Sequence, residues 1–267
     1  MVEEKEEKMS LRFIAKTGKK VSKRFVEIDI IRGLAIILMV FAHILWDLSY
    51  FKIMPLTSSH YNILARAIPF IFFVLVGISI IISFKKKPLT PELEKKYYKH
   101  LIIRGLKIIG CGMVLTFFSF LLLPDKPVYF GVLHCIGLSI LLCIPFLKIK
   151  KYSLPLAIPT IASGVFINQI NFQNPNILLF IIGFQPAHVQ QYTVDYFPIL
   201  PWFGFVLLGL AIGDVLYCGN KRRFRFPDLS VYKPARLFSW CGKHSLGIYL
   251  LHQPIIGGVM YLFAGSI

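Results

Sequence analysis

Charge is what this 267-residue chain has little of: 16% of its residues are Asp, Glu, Lys or Arg, against about a quarter in a soluble domain. With 56% hydrophobic residues and a mean hydropathy of +0.66, that shortage places it among membrane proteins. Acidic residues are scarcest, 13 against 30 Lys and Arg, which leaves a net charge of +17. A basic excess of this size points to nucleic acid when it forms one folded face. Here it sits in tails and loops between apolar runs, so membrane topology accounts for it and no nucleic-acid partner is expected. Cysteine is sparse as well. Cys111, Cys135, Cys143, Cys218 and Cys241 are scattered, odd in number and never in C-x-x-C spacing, which indicates neither a disulfide framework nor a zinc site. No metal is expected. Also missing are a Walker loop, a G-x-S-x-G elbow, an H-E-x-x-H pair and a Rossmann fingerprint, so the familiar soluble-enzyme chemistries have no foothold.

What is present is a series of apolar runs, several approaching the roughly 18–20 residues that cross a bilayer as helix. Seven spans are predicted, at about 26–46, 62–83, 101–123, 128–147, 153–170, 197–217 and 244–265. The piece "NILLFIIGF" (176–184) is too short to cross and reads as interfacial or re-entrant. The fold class is therefore all-α, a polytopic membrane helix bundle. Residues 1–24 are expected to form a mobile basic tail and 25–267 a single transmembrane domain. The first span follows a long tail and ends in "HILWDL", which favours a retained signal anchor over a cleaved signal peptide.

Basic residues orient the bundle. The tail before the first span holds eight Lys and Arg, and the next loop only Lys52. "FKKKPLTPELEKKYYKH" is strongly basic, "PDKP" has one lysine and "KIKK" three, 171–196 has none, and "KRRFRFPDLSVYKPARLFSWCGK" has seven. High and low alternate, so the N-terminus is expected in the cytoplasm and the C-terminus outside, in a multi-pass protein of the cell membrane. The 219–243 loop is expected along the headgroups through Phe224, Phe226 and Trp240.

The first span, "IDIIRGLAIILMVFAHILWD", carries groups that hydrocarbon rejects. At about 100° per residue, Asp29, Arg32, His43 and Asp47 fall within an arc of roughly 60°. End-capping alone does not align four polar groups, and ionised side chains in a bilayer turn toward the bundle interior. Asp29 and Arg32 form an i,i+3 pair near the cytoplasmic end, and His43 and Asp47 an i,i+4 pair about 21 Å away. A carboxylate beside an imidazole fixes its tautomer and raises its basicity, so Asp47 is expected to orient His43.

The same topology brings other polar groups to the outer half: Arg66 one turn inside span two, His134 two turns inside span four, and Asp195 and Trp202 around the start of span six. His60 lies in an outer loop, and His252 lies mid-span beside Pro254. His43, Asp47, Arg66, His134 and Asp195 are the candidates for one outer pocket. On the cytoplasmic half Asp29, Arg32, Arg104 and Lys107 could form an anion-binding mouth for a phosphorylated donor. Positive-inside anchoring is the plainer account of Lys107.

"IDIIRGLAIILMVFAH", "FFVLVGISI", "RGLKIIG", "FGVLHCIGLSILL", "DYFPILPWFGFVLLGLAIG" and "GKHSLGIYLLHQPI" occur in this order. From about residue 25 to the C-terminus the chain resembles the DUF1624 family, related to the catalytic domain of heparan-alpha-glucosaminide N-acetyltransferase. The resemblance implies an integral membrane acyltransferase that takes acetyl from cytosolic acetyl-CoA, its donor substrate, to an extracytoplasmic glycan or lipid-linked sugar. It places the nucleotide phosphates near Arg32 and Arg104, with Asp29 and Lys107 beside them, and the acetyl end near His43. His43 would deprotonate the acceptor or carry acetyl itself, with His134 in the same catalytic group and Arg66, Asp195, Trp202 and His252 toward the acceptor. A catalytic histidine in the segment after the first span is implied too, where His60 is the nearest candidate.

The alternative reading is a proton- or ion-coupled transporter in which His43, Asp47 and His134 relay protons. The absence of visible internal repeats and the odd number of spans argue against it. Besides the lipid bilayer, the donor and the acceptor, a homodimer is left open as a partnership.

Overall fold

A computed structural model describes residues 24–54, 58–86, 90–173, 175–219, 221–227 and 229–264, and it is mostly helical. The expected basic tail at 1–24 lies outside the described residues except for Arg24. The apolar runs fold as α1 (Val26–Tyr50), α2 (Ser58–Lys85), α3 (Pro91–Leu122), α4 (Val132–Leu142), α5 (Ser153–Ile167), α6 (Ile177–Ile182), α7 (Ile199–Leu216) and α9 (Ser245–Ala264). Between α7 and α9 come a two-residue hairpin, β1 (Tyr217–Cys218) with β2 (Lys221–Arg222), and the short helix α8 (Lys233–Lys243). Helices α1, α2, α3 and α7 are long and apolar enough to cross a membrane; α4 and Ser245–Met260 of α9 are shorter apolar helices. "NILLFIIGF" contains only the six-residue α6, started by the Asn176 side chain accepting from Leu179 N and ended at Gly183 with φ +140°.

The core lies where α2 meets α7, with Phe73, Ile80, Val206, Leu207 and Leu210 fully buried, and α4 adds Cys135 and Ile140. All five cysteines are free. Small residues let the helices touch backbone to backbone, as membrane packing favours. A Cβ on Gly77 would lie 2.0 Å from the Val206 carbonyl oxygen. On α1 and α8 the approach is tighter: a Cβ on Gly33 would meet the Phe238 carbonyl oxygen at 1.8 Å, and one on Gly242 that of Asp29 at 1.9 Å.

That contact corrects one expectation. The 219–243 segment does not simply lie outside the bundle, because α8 is docked on α1 and the hairpin is pinned to the start of α1. Arg222 grips Glu27 with both arms, Nε to Oε1 at 2.6 Å and an Nη to Oε2 at 2.7 Å, and the Tyr217 hydroxyl also donates to Glu27 at 3.2 Å. Phe224 packs against Tyr217, and only Trp240 keeps the expected exposure. Likewise α3 begins ten residues ahead of its expected span, because Thr90 caps it and Pro91 suits the first helical position.

Alpha-helix α1 presents Ile31, Leu34, Ile37 and Phe41 outward, while Asp29, Ile36, Met39 and Asp47 are buried on the opposite edge. Helix α9 runs beside α1 in the same direction, which sets His252 level with His43 and Gln253 level with Asp47. Helix α4 returns antiparallel along α3, Gly137 near Gly105 and His134 against Gly112.

Candidate functional site

The polar groups near His43 converge from three directions. On α1, His43 Nδ1 lies 3.0 Å from the Met39 carbonyl oxygen. A carbonyl only accepts, so Nδ1 carries the proton and Nε2 keeps a lone pair in the neutral ring. On α9, His252 makes the same bond with Tyr249 O at 2.6 Å, and its buried Nε2 has no partner among the described residues. Asp47, only 2% exposed, accepts from Gln253 Nε2 with both oxygens, at 3.1 and 3.2 Å. The expected roles thus divide differently: Met39 O orients His43, and Asp47 is held by Gln253 while remaining within electrostatic reach of His43.

The third direction is the meeting of "VYFGVLH" with "VDYFP". Phe197 N donates to Phe130 O at 3.0 Å, stitching the two segments in parallel. Asp195 Oδ2 then accepts from Val132 N at 3.1 Å, so the carboxylate caps α4 from outside. It fits because residue 131 is glycine; a Cβ there would lie 2.2 Å from Oδ2. Burial pushes the Asp195 carboxyl up to about 6, opposed by the Val132 N–H and by His43. His134, Asp195, Tyr249 and Gly112 line a small cleft that is open on one side. The His134 ring lies against Gly112, where a Cβ would come 2.9–3.1 Å from its Cε1, Nδ1 and Nε2.

At the other end of α1, Arg32 donates to Asp29 Oδ1 at 3.3 Å and to Ser79 Oγ at 2.7 Å. Arg104 and Arg24 lie close enough to repel it. Arg104 is half-buried and forms no ion pair among the described residues. Three guanidinium groups beside one aspartate favour an added anion. Lys107 is exposed. Between the two ends, Ile36 and Met39 sit on the same edge of α1 in an apolar cluster with Ala42, Ile68 and Cys241.

Not every sequence candidate joins a cluster. Trp202 stacks on Phe73 and packs at a tilt against Phe197, each at 5.1 Å, in the aromatic core. Arg66 is exposed on α2, and His60 lies in the first turn of α2 with its side chain outside the described residues. Among the described residues no three His, Cys, Asp or Glu side chains converge as metal ligands. Tyr249, Gln253 and Ser79 are the residues that sequence reasoning passed over. Tyr249 and Gln253 flank His252 at i−3 and i+1, a polar pattern in an apolar helix that could have flagged them.

These features define a helical membrane protein with a histidine-rich pocket at one end of a transmembrane-length helix and an arginine cluster at the other. The family described as "Heparan-alpha-glucosaminide N-acetyltransferase, catalytic" matches residues 24–254, and the chain belongs to it. No curated protein and no solved structure matches the chain. Family membership implies a transferase and does not favour the coupled transporter.

Proposed function

We propose that the protein is a membrane acetyltransferase that draws acetyl from acetyl-CoA at its cytoplasmic end and delivers it to a glycan or lipid-linked sugar on the far side. In this reading the chain crosses the cell membrane seven times, with the N-terminus in the cytoplasm and the C-terminus outside. The observation that carries it is the edge of α1: Arg32 beside Arg104 at one end, and His43 with its Nε2 lone pair beside His252 at the other. About 16 Å of helix separates them, at 1.5 Å per residue. Arg32, Arg104 and Ser79 hold the donor's phosphates, and Asp29 keeps Arg32 in place. The donor's arm follows the Ile36–Met39 edge of α1.

At the outer end His43 Nε2 takes the proton from the acceptor's amine or hydroxyl. The freed nitrogen or oxygen bonds to the acetyl carbon, the carbon–sulfur bond breaks, and the proton passes from His43 to the departing thiolate. Acetylated acceptor and free CoA result. Asp195, Tyr249 and His252 surround the acceptor.

The test uses the full chain in lipid nanodiscs with labelled acetyl-CoA and glucosamine as probe acceptor. Wild type binds acetyl-CoA and transfers label, and His43→Ala retains binding while transfer falls by a factor of about 10²–10⁴. A folded wild-type protein without acetyl-CoA affinity contradicts the reading.

A further inference from the structure

The two histidines at the pocket present opposite faces of the same chemistry. Gly131 N donates to His134 Nδ1 at 3.3 Å. A backbone N–H only donates, so this nitrogen accepts and the neutral ring carries its proton on Nε2. His43 is the reverse, with its proton on Nδ1 and a lone pair on Nε2. Backbone groups, fixed by the helices themselves, thus set one imidazole as a base and the other as a hydrogen-bond donor.

His134 is 5% exposed, and its Nε2 is buried without a partner among the described residues. An unpaired buried N–H destabilises the fold unless something answers it. The ring borders the cleft together with Asp195 and Tyr249. Both neighbours connect to His43: Asp195 lies within its electrostatic reach, and the Tyr249 carbonyl holds His252, whose ring centroid is 4.6 Å from that of His43. Gly112 lets the imidazole lie flat on α3, and the Gly131 N–H sets its tautomer.

Resting on the acetyl-transfer reading, we infer that His134 Nε2–H is the donor that stabilises the oxygen of the reacting carbonyl. As the acceptor atom bonds to the acetyl carbon and gives its proton to His43, the carbonyl oxygen becomes an oxyanion and accepts from His134. When the carbon–sulfur bond breaks, the carbonyl re-forms, the electron pair leaves on sulfur, and the His43 proton follows it. His134 neither gains nor loses a proton in the cycle. A fixed donor aimed at developing charge is worth about 10²–10³ in turnover where it has been removed from other enzymes.

The experiment compares wild type, His134→Met and His134→Gln in nanodiscs, with acetyl-CoA and glucosamine, after checking that each variant is monodisperse. His134→Met, which lacks the donor, should lose about 10²-fold or more in kcat with acetyl-CoA affinity unchanged. His134→Gln, which restores an N–H near the place of Nε2, should recover at least about ten-fold over Met. A Met variant within about three-fold of wild type, or equal losses in Met and Gln, overturns the assignment while leaving the transfer reading standing. A wild type that transfers nothing overturns both. Nitrogen-15 spectra of the imidazole in wild type give a readout independent of turnover: protonated Nε2 is expected, and protonated Nδ1 overturns the inference.

Discussion

The rings of His43 and His252 meet edge to face with centroids 4.6 Å apart, one on α1 and the other on α9. Each donates through Nδ1 to a carbonyl of its own helix, His43 to Met39 and His252 to Tyr249. Two Nε2 lone pairs are therefore left in one place, at the end of α1 away from Arg32. Polar groups are costly at this depth, and a bundle that gathers them has a use for them.

Gln253 is the only hydrogen-bond donor to Asp47 among the described residues. Gln253→Leu should leave a buried carboxylate unpaired and destabilise the protein by about 2–3 kcal/mol, as for a lost bond to a charged group. Adding Asp47→Leu should recover part of that loss, because the orphaned charge goes with it. Thermal melting of the two single variants and the double variant measures the coupling.

Gly242→Ala should be far more damaging than Gly247→Ala. The first places a Cβ 1.9 Å from the Asp29 carbonyl oxygen, while the second meets nothing within 4 Å. Overpacking against backbone cannot be relieved by a side-chain rotation, so a loss of about 3 kcal/mol is expected at 242. At 247 the gain in helix propensity leaves stability equal or up to about 1 kcal/mol higher. Melting temperatures in detergent separate the two outcomes.

Asp195 gives a pH dependence with a definite sign. Its folded-state value of about 6 lies above the ordinary carboxyl value of 3.8, so the folded protein binds this proton more tightly than the unfolded chain. The stabilising contribution is full below about pH 4 and is lost as pH rises through 6, amounting to roughly 3 kcal/mol over the window. Asp195→Asn should flatten the change in melting temperature between pH 4.5 and 7.5. A variant with the wild-type slope assigns the dependence to another group.

Arg104 separates nucleotide binding from chemistry. Arg104→Ala should weaken acetyl-CoA binding by about 10- to 100-fold, the range for a lost bond to a charged group, and leave kcat within about two-fold. Acetyl-pantetheine, which lacks the nucleotide, should bind wild type and variant equally. Titrations with both donors check this.

The helices were legible because apolar runs longer than a dozen residues have one solution in a bilayer, and α1 begins where its pattern does, at Val26. The stripe from Asp29 to Asp47 was legible because helical spacing alone puts its members on one edge. Its internal wiring was not. Met39 acts through a backbone carbonyl, which every residue possesses, and Gln253 reaches Asp47 only because α9 packs beside α1. Trp202 carried no sign of whether it would face a pocket or the aromatic stack around Phe73. Docking of α8 on α1 was hidden for a related reason: Gly33 and Gly242 read as unremarkable glycines until the backbones meet.

Sidedness tests the central claim most directly. The protein is reconstituted in sealed vesicles with one uniform orientation, glucosamine attached to an impermeant polymer is enclosed, and labelled acetyl-CoA is added outside. Label should reach the enclosed polymer only when the face bearing Arg32 and Arg104 points outward toward the donor. Transfer that occurs only when donor and acceptor share one side of the membrane would contradict the account.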